Sequence, residues 1–212
     1  MLTPLGFITV RKMGITERKY RQKEEVRSLI LDTAWKQILE DGCNSMSIRK
    51  LADSIEYSAP VIYSHFESKD VILKEFVQKG YALLVERVRK EKEQFTVPAR
   101  QLEAMAQAYW DFACDNREYY QLMFGLGIPG CEVARQVPEI KAFGELIQSV
   151  IQQAITESKH PEANHFLKFH TYWSILHGMI SIQMTGSSPH SKEMSLLILK
   201  DAIGGFIFSL EG

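Results

Sequence analysis

Residues 47–66 read SIRKLADSIEYSAPVIYSHF, and this stretch predicts two short helices joined by a tight turn. Ser47 precedes the apolar positions of the first helix, and Ser58 precedes those of the second. Serine is a favoured N-cap residue because its hydroxyl accepts a hydrogen bond from an otherwise unpaired backbone N–H. Two helices of about two turns with a turn of three or four residues between them are typical of a DNA-binding helix-turn-helix.

In such a motif the first helix braces against the DNA backbone and the second lies in the major groove. The exposed positions of the second helix are small and polar, which allows close approach to base edges. Flanking positive charge suits phosphates. The residues expected to contact DNA are Ser47, Arg49, Lys50, Ser58, Ala59, Pro60, Val61, Tyr63, Ser64, His65 and Lys69. Two alternatives stay open: Arg49 and Lys50 form an ordinary solvated face, and His65 is partly packed surface.

This segment resembles the tetracycline-repressor (TetR) family of bacterial regulators. Six spaced features match in order over about residues 24–84: Ser47, Leu51-Ala52, Ser58, Tyr63, Phe66 and Lys69. The resemblance implies binding to double-stranded operator DNA, with Tyr63 and Lys69 on phosphates. Glu56 departs from the family, which usually has glycine at the turn. Because the turn requires a positive φ, we expect mild strain at Glu56.

Apolar residues recur at helical spacing along the chain, and no stretch alternates strictly as a β-strand would. We therefore predict an all-α fold, with a three-helix DNA-binding domain over residues 17–92 and a helical ligand-binding and dimerisation domain over residues 98–212. Gln94 to Pro98 is the expected linker, since proline breaks helices. The later helices are expected at about 102–113, 116–124, 132–157, 161–184 and 190–209. The predicted buried faces include Leu29 and Leu83.

Composition narrows the class of protein. Residues 1–90 carry 16 Lys and Arg against 12 Asp and Glu, and residues 91–212 carry 9 against 14, so the front of the chain is the more basic part. No run of about eighteen apolar residues suggests a membrane span. Cys43, Cys114 and Cys131 are too few and too scattered for a disulfide framework, which favours the cytoplasm. Met13 opens a usual family beginning, so residues 1–12 are expected to be an extension.

The C-terminal half carries a second resemblance. Trp173, His177 and Gly178 are similar to the Trp…His-Gly (WHG) motif of one TetR-family C-terminal domain. This half is rich in aromatic residues and methionine, which either line a cavity for an apolar or aromatic small molecule or form plain core. The predicted lining residues are Met105, Tyr109, Tyr120, Phe124, Phe143, Trp173 and His177. No cofactor or metal is expected, because His170 and His177 lack a third ligand at coordinating spacing.

The helix predicted over 161–184 has two apolar stripes, and a helix with two apolar faces must be covered on both. We expect one face to pack in its own domain and the other, Tyr172, Ile175, Met179 and Ile182, to pack on a second copy. The last helix is expected to contribute Leu196, Leu199, Ile203, Phe206 and Leu210 to the same homodimer interface, with Ala202, Gly204 and Gly205 allowing close approach. The alternative is a doubly buried core helix in a monomer.

These features favour a dimeric transcriptional regulator that a small molecule releases from DNA, with repression rather than activation as the expected sign. An all-helical enzyme is the alternative from another class. The chain has no phosphate-binding loop, nucleophile elbow or paired Cys and His signature, so we expect no catalytic residues. A helical module that binds a protein partner is the third reading.

Overall fold

The computed structural model describes residues 14–125, 138–186 and 191–211. Within these ranges the chain forms nine α-helices and no strand, which confirms the all-α prediction. The helices are α1 (Ile15–Asp41), α2 (Ile48–Ser54), α3 (Ala59–His65), α4 (Lys69–Lys92), α5 (Pro98–Asp115), α6 (Arg117–Phe124), α7 (Pro138–Thr156), α8 (His165–Met184) and α9 (Lys192–Glu211). A 3₁₀ turn, Cys43–Ser45, joins α1 to α2. The expected extension 1–12, Cys131 and the predicted helix starts at 132 and 190 lie outside the described residues.

Polar side chains set the starts of several helices. The Ser47 hydroxyl accepts from Lys50 N at 3.5 Å, and the Ser68 hydroxyl accepts from Val71 N at 3.3 Å. Asn164 does the same for α8, accepting from Leu167 N at 3.1 Å, so this helix begins later than the predicted residue 161. The linker prediction is wrong at Pro98, which opens α5. Proline fits a first helical position because the N–H it lacks would be unpaired there anyway.

The first three helices share one small core. Ile30, Ala34 and Ile38 of α1 are completely buried, as are Leu51 of α2 and Ile62 of α3. The predicted burial of Leu29 and Leu83 is wrong, since their side chains are 42% and 37% exposed. In each case the next residue along the helix, Ile30 or Leu84, is the buried one. One residue turns an α-helix by about 100°, so an error of one position moves a side chain to another face.

Helix α5 lies at the centre of the C-terminal half and contacts α4, α6, α7, α8 and α9. Its buried side chains include Leu102, Tyr109, Trp110 and Phe112. Burial of each such side chain stabilises the fold by about 1.5–3 kcal/mol relative to exposure. A hydrogen bond from the Tyr172 hydroxyl to Leu102 O, 2.6 Å long and buried, ties α8 to α5.

Helix α4 connects the two halves. Three residues separate it from the end of α3, and it continues for 24 residues, which is about 36 Å at 1.5 Å per residue. Along this length it contacts α1, α5, α6 and α7. The position of α3 is therefore coupled through one rigid helix to the packing of the C-terminal half. None of the helices in the described ranges combines the length and apolarity needed to cross a lipid bilayer.

In α8 and α9, the face that packs inside the chain is not the one expected from the sequence. Tyr172 is completely buried within the chain, and four of the predicted interface residues of α9 are buried as well: Leu199, Ile203, Phe206 and Leu210. The other side of these helices is exposed and partly apolar. Its apolar residues on α9 are Met194, Leu197, Ile198 and Phe208, and those on α8 include Leu167 and Ile182. The expectation that Tyr172 and those four α9 residues face a second copy is therefore wrong.

Candidate functional site

The turn between α2 and α3 has the hydrogen-bond pattern of a Schellman motif. Tyr57 N donates to Ala52 O at 3.0 Å, and Glu56 N donates to Asp53 O at 3.3 Å. Glu56 has φ of 58°, and it is the one non-glycine residue with positive φ in the described part of the chain. This confirms the strain expected from the sequence. The motif normally places glycine at that position, because glycine has no Cβ to clash.

The turn leaves one face of α3 open to solvent. Ser58, Pro60, Tyr63 and Ser64 are exposed, whereas Ala59, Val61 and His65 are half-buried. Tyr63 is 52% exposed although it is aromatic, so its ring is available to a partner. Ser58 directly precedes α3 as expected, but the expected capping bond is wrong, since its hydroxyl accepts no hydrogen bond from the first turn. Small groups and one hydroxylated ring thus form a narrow surface about two helical turns long.

The remaining predicted DNA-contacting residues have different surroundings. Arg49 is exposed and Lys69 half-buried at the start of α4, and neither has an ion-pair partner among the described residues. Lys50 lies 3.7 Å from Asp41, an exposed pair of small net strength. The Ser47 hydroxyl is already used as a helix cap. The buried Nδ1 of His65 has no hydrogen-bond partner within the described ranges, so this ring is held mainly by packing.

Arg27 of α1 supports this surface from beneath, and sequence reasoning missed it. Its guanidinium pairs with the Glu75 carboxylate of α4 at 2.6 Å and lies 5.0 Å above the centre of the Phe66 ring, directly after α3. A charge-assisted hydrogen bond and a cation–π contact therefore join α1 to α4 and to the residue that follows α3. Charged residues recur every few positions along any amphipathic helix, so the sequence alone does not indicate that Arg27 has this structural role.

A cavity of about 760 Å³ lies between α4, α6, α7 and α8. This volume is within the range typical of small-molecule sites. Its described lining residues are Tyr81, Met123, Phe124, Ile140, Lys141, Phe143, Gly144, Glu145, Gln148, Phe169, Trp173 and His177. Four of the seven residues predicted from the sequence are in this set: Phe124, Phe143, Trp173 and His177.

The other three predicted residues lie behind the cavity wall. Met105, Tyr109 and Tyr120 are buried and absent from the lining. Two of them still reach the cavity through hydrogen bonds, because the Tyr109 hydroxyl lies 3.0 Å from the Tyr120 hydroxyl, which lies 2.6 Å from His177 Nδ1. Burial lowers the pKa of His177 below its usual 6.5, so the imidazole is neutral at pH 7. Burial also raises the pKa of Tyr120, which therefore stays protonated.

Of the residues that α7 contributes to the cavity, sequence reasoning identified Phe143 and missed the others. The residues Ile140, Lys141, Gly144, Glu145 and Gln148 line the cavity, and their spacing of three and four places them on one face. Gly144 on that face was the available signal, since a small residue makes room beside a helix. The described residues contain no group of three or more His, Cys, Asp or Glu arranged to hold a metal ion.

Helix α6 contacts both the cavity and α4. Phe124 and Met123 line the cavity, and Tyr120 contacts its His177. Met123 and Tyr119 also pack against Gly80 of α4, where a Cβ would lie only 2.7 Å from the Met123 sulfur. The close approach of α6 to α4 therefore depends on glycine at this position.

Comparison with known proteins gives two family matches. Residues 30–76 match the description "Bacterial regulatory proteins, tetR family", and residues 102–198 match "Tetracyclin repressor-like, C-terminal domain". Together the two ranges cover more than half of the chain. The first includes the whole helix-turn-helix, and the second includes most of the cavity.

Individual relatives agree with these matches. The chain is 28% identical over 102 residues to the HTH-type transcriptional activator FasR of Mycolicibacterium smegmatis, covering 48% of this chain and 47% of that protein. The chain thus spans about half the length of the curated relatives it matches. A Rhodococcus sp. RHA1 protein of unknown function has the same fold, with a TM-score of 0.72, 18% identity, and 97% and 100% of the two chains covered. FadR of Bacillus subtilis, solved with stearoyl-CoA, also has this fold. Its TM-score is 0.64 at 12% identity, with 87% of this chain and 97% of that chain covered.

Proposed function

Because this chain belongs to the TetR family, we propose that it is a dimeric DNA-binding transcriptional regulator that a small apolar molecule releases from its operator. The open face of α3 carries the proposal: Ser58, Tyr63 and Ser64 are exposed on a helix held in place by a buried core. Major grooves admit one α-helix, and small polar side chains permit contact with base edges. DNA as partner implies the cytoplasm as the site of action.

The proposed DNA contacts divide into two groups. Ser58, Ala59, Pro60, Val61, Ser64 and His65 are placed at base edges or the groove walls. Tyr63, Lys69, Arg49, Lys50 and Ser47 are placed at phosphates, where Lys69 gains from lying at the start of α4 because the N-terminal end of a helix dipole favours a nearby anion. The proposal of DNA binding is tested by measuring the binding of labelled genomic fragments at low salt. Failure to bind any duplex DNA would contradict it.

The exposed, partly apolar surface of α8 and α9 supports a homodimer. On α8 it comprises the exposed Leu167, Thr171 and Ile182 with the half-buried Ile175 and Gly178 between them. On α9 it comprises Met194, Ile198, Gly205 and Phe208 with the charged Asp201, and each set has the spacing of one helix face. A Cβ added to Gly178, Gly204 or Gly205 would meet no atom within 4 Å. Such a flat surface lets the same two helices of a second copy approach closely, as in a four-helix interface.

The cavity is the proposed effector site. Its walls are mainly apolar and aromatic, with a few polar groups, which is the usual character of small-molecule sites. FadR of Bacillus subtilis, a neighbour in fold, was solved with stearoyl-CoA, so molecules with an acyl chain are the first to test. Ligand release requires that the effector bind the conformation with low DNA affinity more tightly. Two measurements test the effector role of the cavity. Candidate ligands are first screened for thermal stabilisation of the protein, and operator affinity is then measured with and without those that bind.

Two alternatives are distinguished by the same experiments. FasR is named an activator, so ligand-dependent activation is the second candidate; a reporter gene under the operator separates it from repression. TetR proteins are regulators rather than enzymes, and we propose neither a catalytic residue nor a resident cofactor. If a variant that no longer binds DNA still regulated the reporter gene, a role through a protein partner would be favoured.

A further inference from the structure

The polar groups next to the cavity form a chain with a defined order. Trp173 lines the cavity, and its buried Nε1–H has no hydrogen-bond partner in the described ranges. The Tyr109 hydroxyl contacts the Tyr120 hydroxyl, and the Tyr120 hydroxyl contacts His177 Nδ1. His177 itself lines the cavity.

The direction of the protons in this chain follows from its buried end at Tyr109, whose hydroxyl is hydrogen-bonded only to Tyr120 among the described residues. The Trp173 indole offers Tyr109 no acceptor, since an indole N–H can only donate. If His177 Nδ1 carried the proton, Tyr120 would donate to Tyr109, and the buried Tyr109 hydroxyl hydrogen would have no acceptor among the described residues. A buried donor without a partner costs on the order of a whole hydrogen bond. The favoured order is therefore Tyr109 to Tyr120 to His177, with Nδ1 as acceptor.

A neutral imidazole whose Nδ1 accepts must carry its proton on Nε2. No described residue hydrogen-bonds to His177 Nε2, so this N–H is available where the ring lines the cavity. The Tyr81 hydroxyl, also in the lining, likewise has no hydrogen bond within the described part of the chain, and burial raises its pKa so that it stays protonated. Two neutral donors thus belong to the same cavity.

Charge in the cavity lining is balanced. The only ionic side chains among the described lining residues are Lys141 and Glu145, which lie 3.6 Å apart as an exposed pair on α7. The remaining lining side chains are apolar, aromatic or neutral and polar. A carboxylate moved into such surroundings would lose hydration without gaining an unpaired cation.

We infer that the cavity binds an apolar molecule carrying an uncharged oxygen acceptor, such as a ketone, ester or thioester carbonyl, and that His177 Nε2–H donates to that oxygen. A carbonyl has two lone-pair sites, which allows Tyr81 to donate as well. The inference rests on the proposed function, because it names the ligand class for the proposed effector cavity. It also predicts discrimination against the corresponding free acid.

The test uses three probes of equal chain length, 2-nonanone, nonanoate and nonane, on the full chain. Intrinsic fluorescence reports binding because Trp173 lines the cavity. We expect 2-nonanone to bind at least about tenfold more tightly than nonanoate. The affinity ratio of 2-nonanone to nonane should fall by roughly threefold to tenfold in His177→Phe, the value of one hydrogen bond. Packing losses act on both probes and cancel in this ratio.

His170→Phe is the matched control, since His170 is on the same helix but is not among the described lining residues. Its ratio should equal that of the unchanged protein. Nitrogen-15 spectra of the unchanged protein give a second test that needs no variant, and should show His177 protonated at Nε2. Protonation at Nδ1, nonanoate binding as tightly as 2-nonanone, or an unchanged ratio in His177→Phe would each overturn the inference.

Operator affinity measured with the same probes separates this inference from the proposed function. If 2-nonanone binds as inferred but leaves operator affinity unchanged, the effector role fails and the ligand class stands. If nonanoate binds and releases DNA, the ligand class fails and the effector role stands.

Discussion

The indole of Trp35 stacks on the ring of Tyr119, with centroids 4.0 Å apart and planes 23° apart. Trp35 belongs to α1, which forms part of the helix-turn-helix unit, and Tyr119 belongs to α6, which borders the cavity. The same indole also contacts Phe76 of α4, 5.0 Å away. The two halves of the molecule are therefore joined by an aromatic contact in addition to the continuous helix α4.

This stack gives the first prediction. Tyr119→Leu keeps an apolar side chain and removes the ring contact, worth about 0.5–1.5 kcal/mol. Operator affinity without effector should change little, whereas the weakening caused by saturating 2-nonanone should shrink, because movement of α6 is then less well transmitted to α1. Fluorescence anisotropy of a labelled operator measures both quantities. Phe95→Leu, an exposed aromatic between α4 and α5, is the control; an equal loss of response in both variants would count against the stack.

Glu56 supplies the second prediction. Glu56→Gly should stabilise the protein by about 1 kcal/mol, since glycine tolerates the positive φ observed there. For a chain of this size that corresponds to an increase in Tm of about 2–4 °C in calorimetry. Glu86→Gly in the middle of α4 should have the opposite sign, because glycine weakens a helix interior. A lower Tm for Glu56→Gly would show that the strain is compensated by the Glu56 side chain.

The third prediction separates contacts with phosphate from contacts with bases. Lys69→Ala should weaken binding to all duplex sequences alike and reduce the slope of log affinity against log salt by about one unit. Ala59→Leu should instead weaken some sequences much more than others, since a larger side chain meets base edges in the groove. Lys200→Ala, an exposed change on α9, should leave both measures unaltered. A sequence-selective loss in Lys69→Ala would contradict its assignment.

The proposed dimer surface is tested with substitutions on α8. Ile175→Glu places an unpaired carboxylate on this surface, and Gly178→Trp fills the space that close helix approach requires. Both should give folded monomers in sedimentation and weak operator binding, because one half-site is then held alone. Gln152→Glu on the exposed side of α7 should stay dimeric. If Ile175→Glu and Gly178→Trp also stay dimeric, the interface lies elsewhere.

A pH effect follows from His177. Its pKa is lowered in the folded chain, so the unfolded chain binds more protons in the region below about pH 6.5. The stabilisation is complete above that pH and is lost as the pH falls through the folded pKa, because a proton on Nδ1 breaks the bond from Tyr120. Denaturant unfolding at about pH 8 and about pH 5 should show a smaller acid loss in His177→Gln than in the unchanged protein. Equal losses would mean that other groups control the acid range.

The sequence predicts local features of this fold well. Ser47 caps α2 as expected, and the strain at Glu56 follows from the chemistry of one turn. These features depend on interactions within a few residues, so a single chain segment contains the information. The all-α class follows in the same way from spacing of apolar residues repeated over every segment.

Features set by packing between distant segments were harder to predict. Periodicity identifies two apolar faces on α8 and α9, but it does not say which face the chain covers itself, so Tyr172 and Leu199 were assigned to the wrong side. The cavity shows the same limit. Aromatic content indicated Phe124 and Trp173 correctly as lining, whereas Tyr109 and Tyr120 have the same residue type and lie behind the wall. Only the relative rotation of the packed helices distinguishes them.

The bond between Arg27 and Glu75 has a geometric consequence for how α3 can move. That bond joins α1 to α4, and the contact of the same guanidinium with Phe66 adds the end of α3. These segments therefore move as one body at the tip of a helix about 36 Å long. A tilt of about 5° around the far end of α4 would carry that tip sideways by about 3 Å. This is close to the rise of roughly 3.4 Å between successive base pairs. A rotation too small to disturb the core would thus shift the α3 helix of each subunit by about one base pair relative to its DNA site.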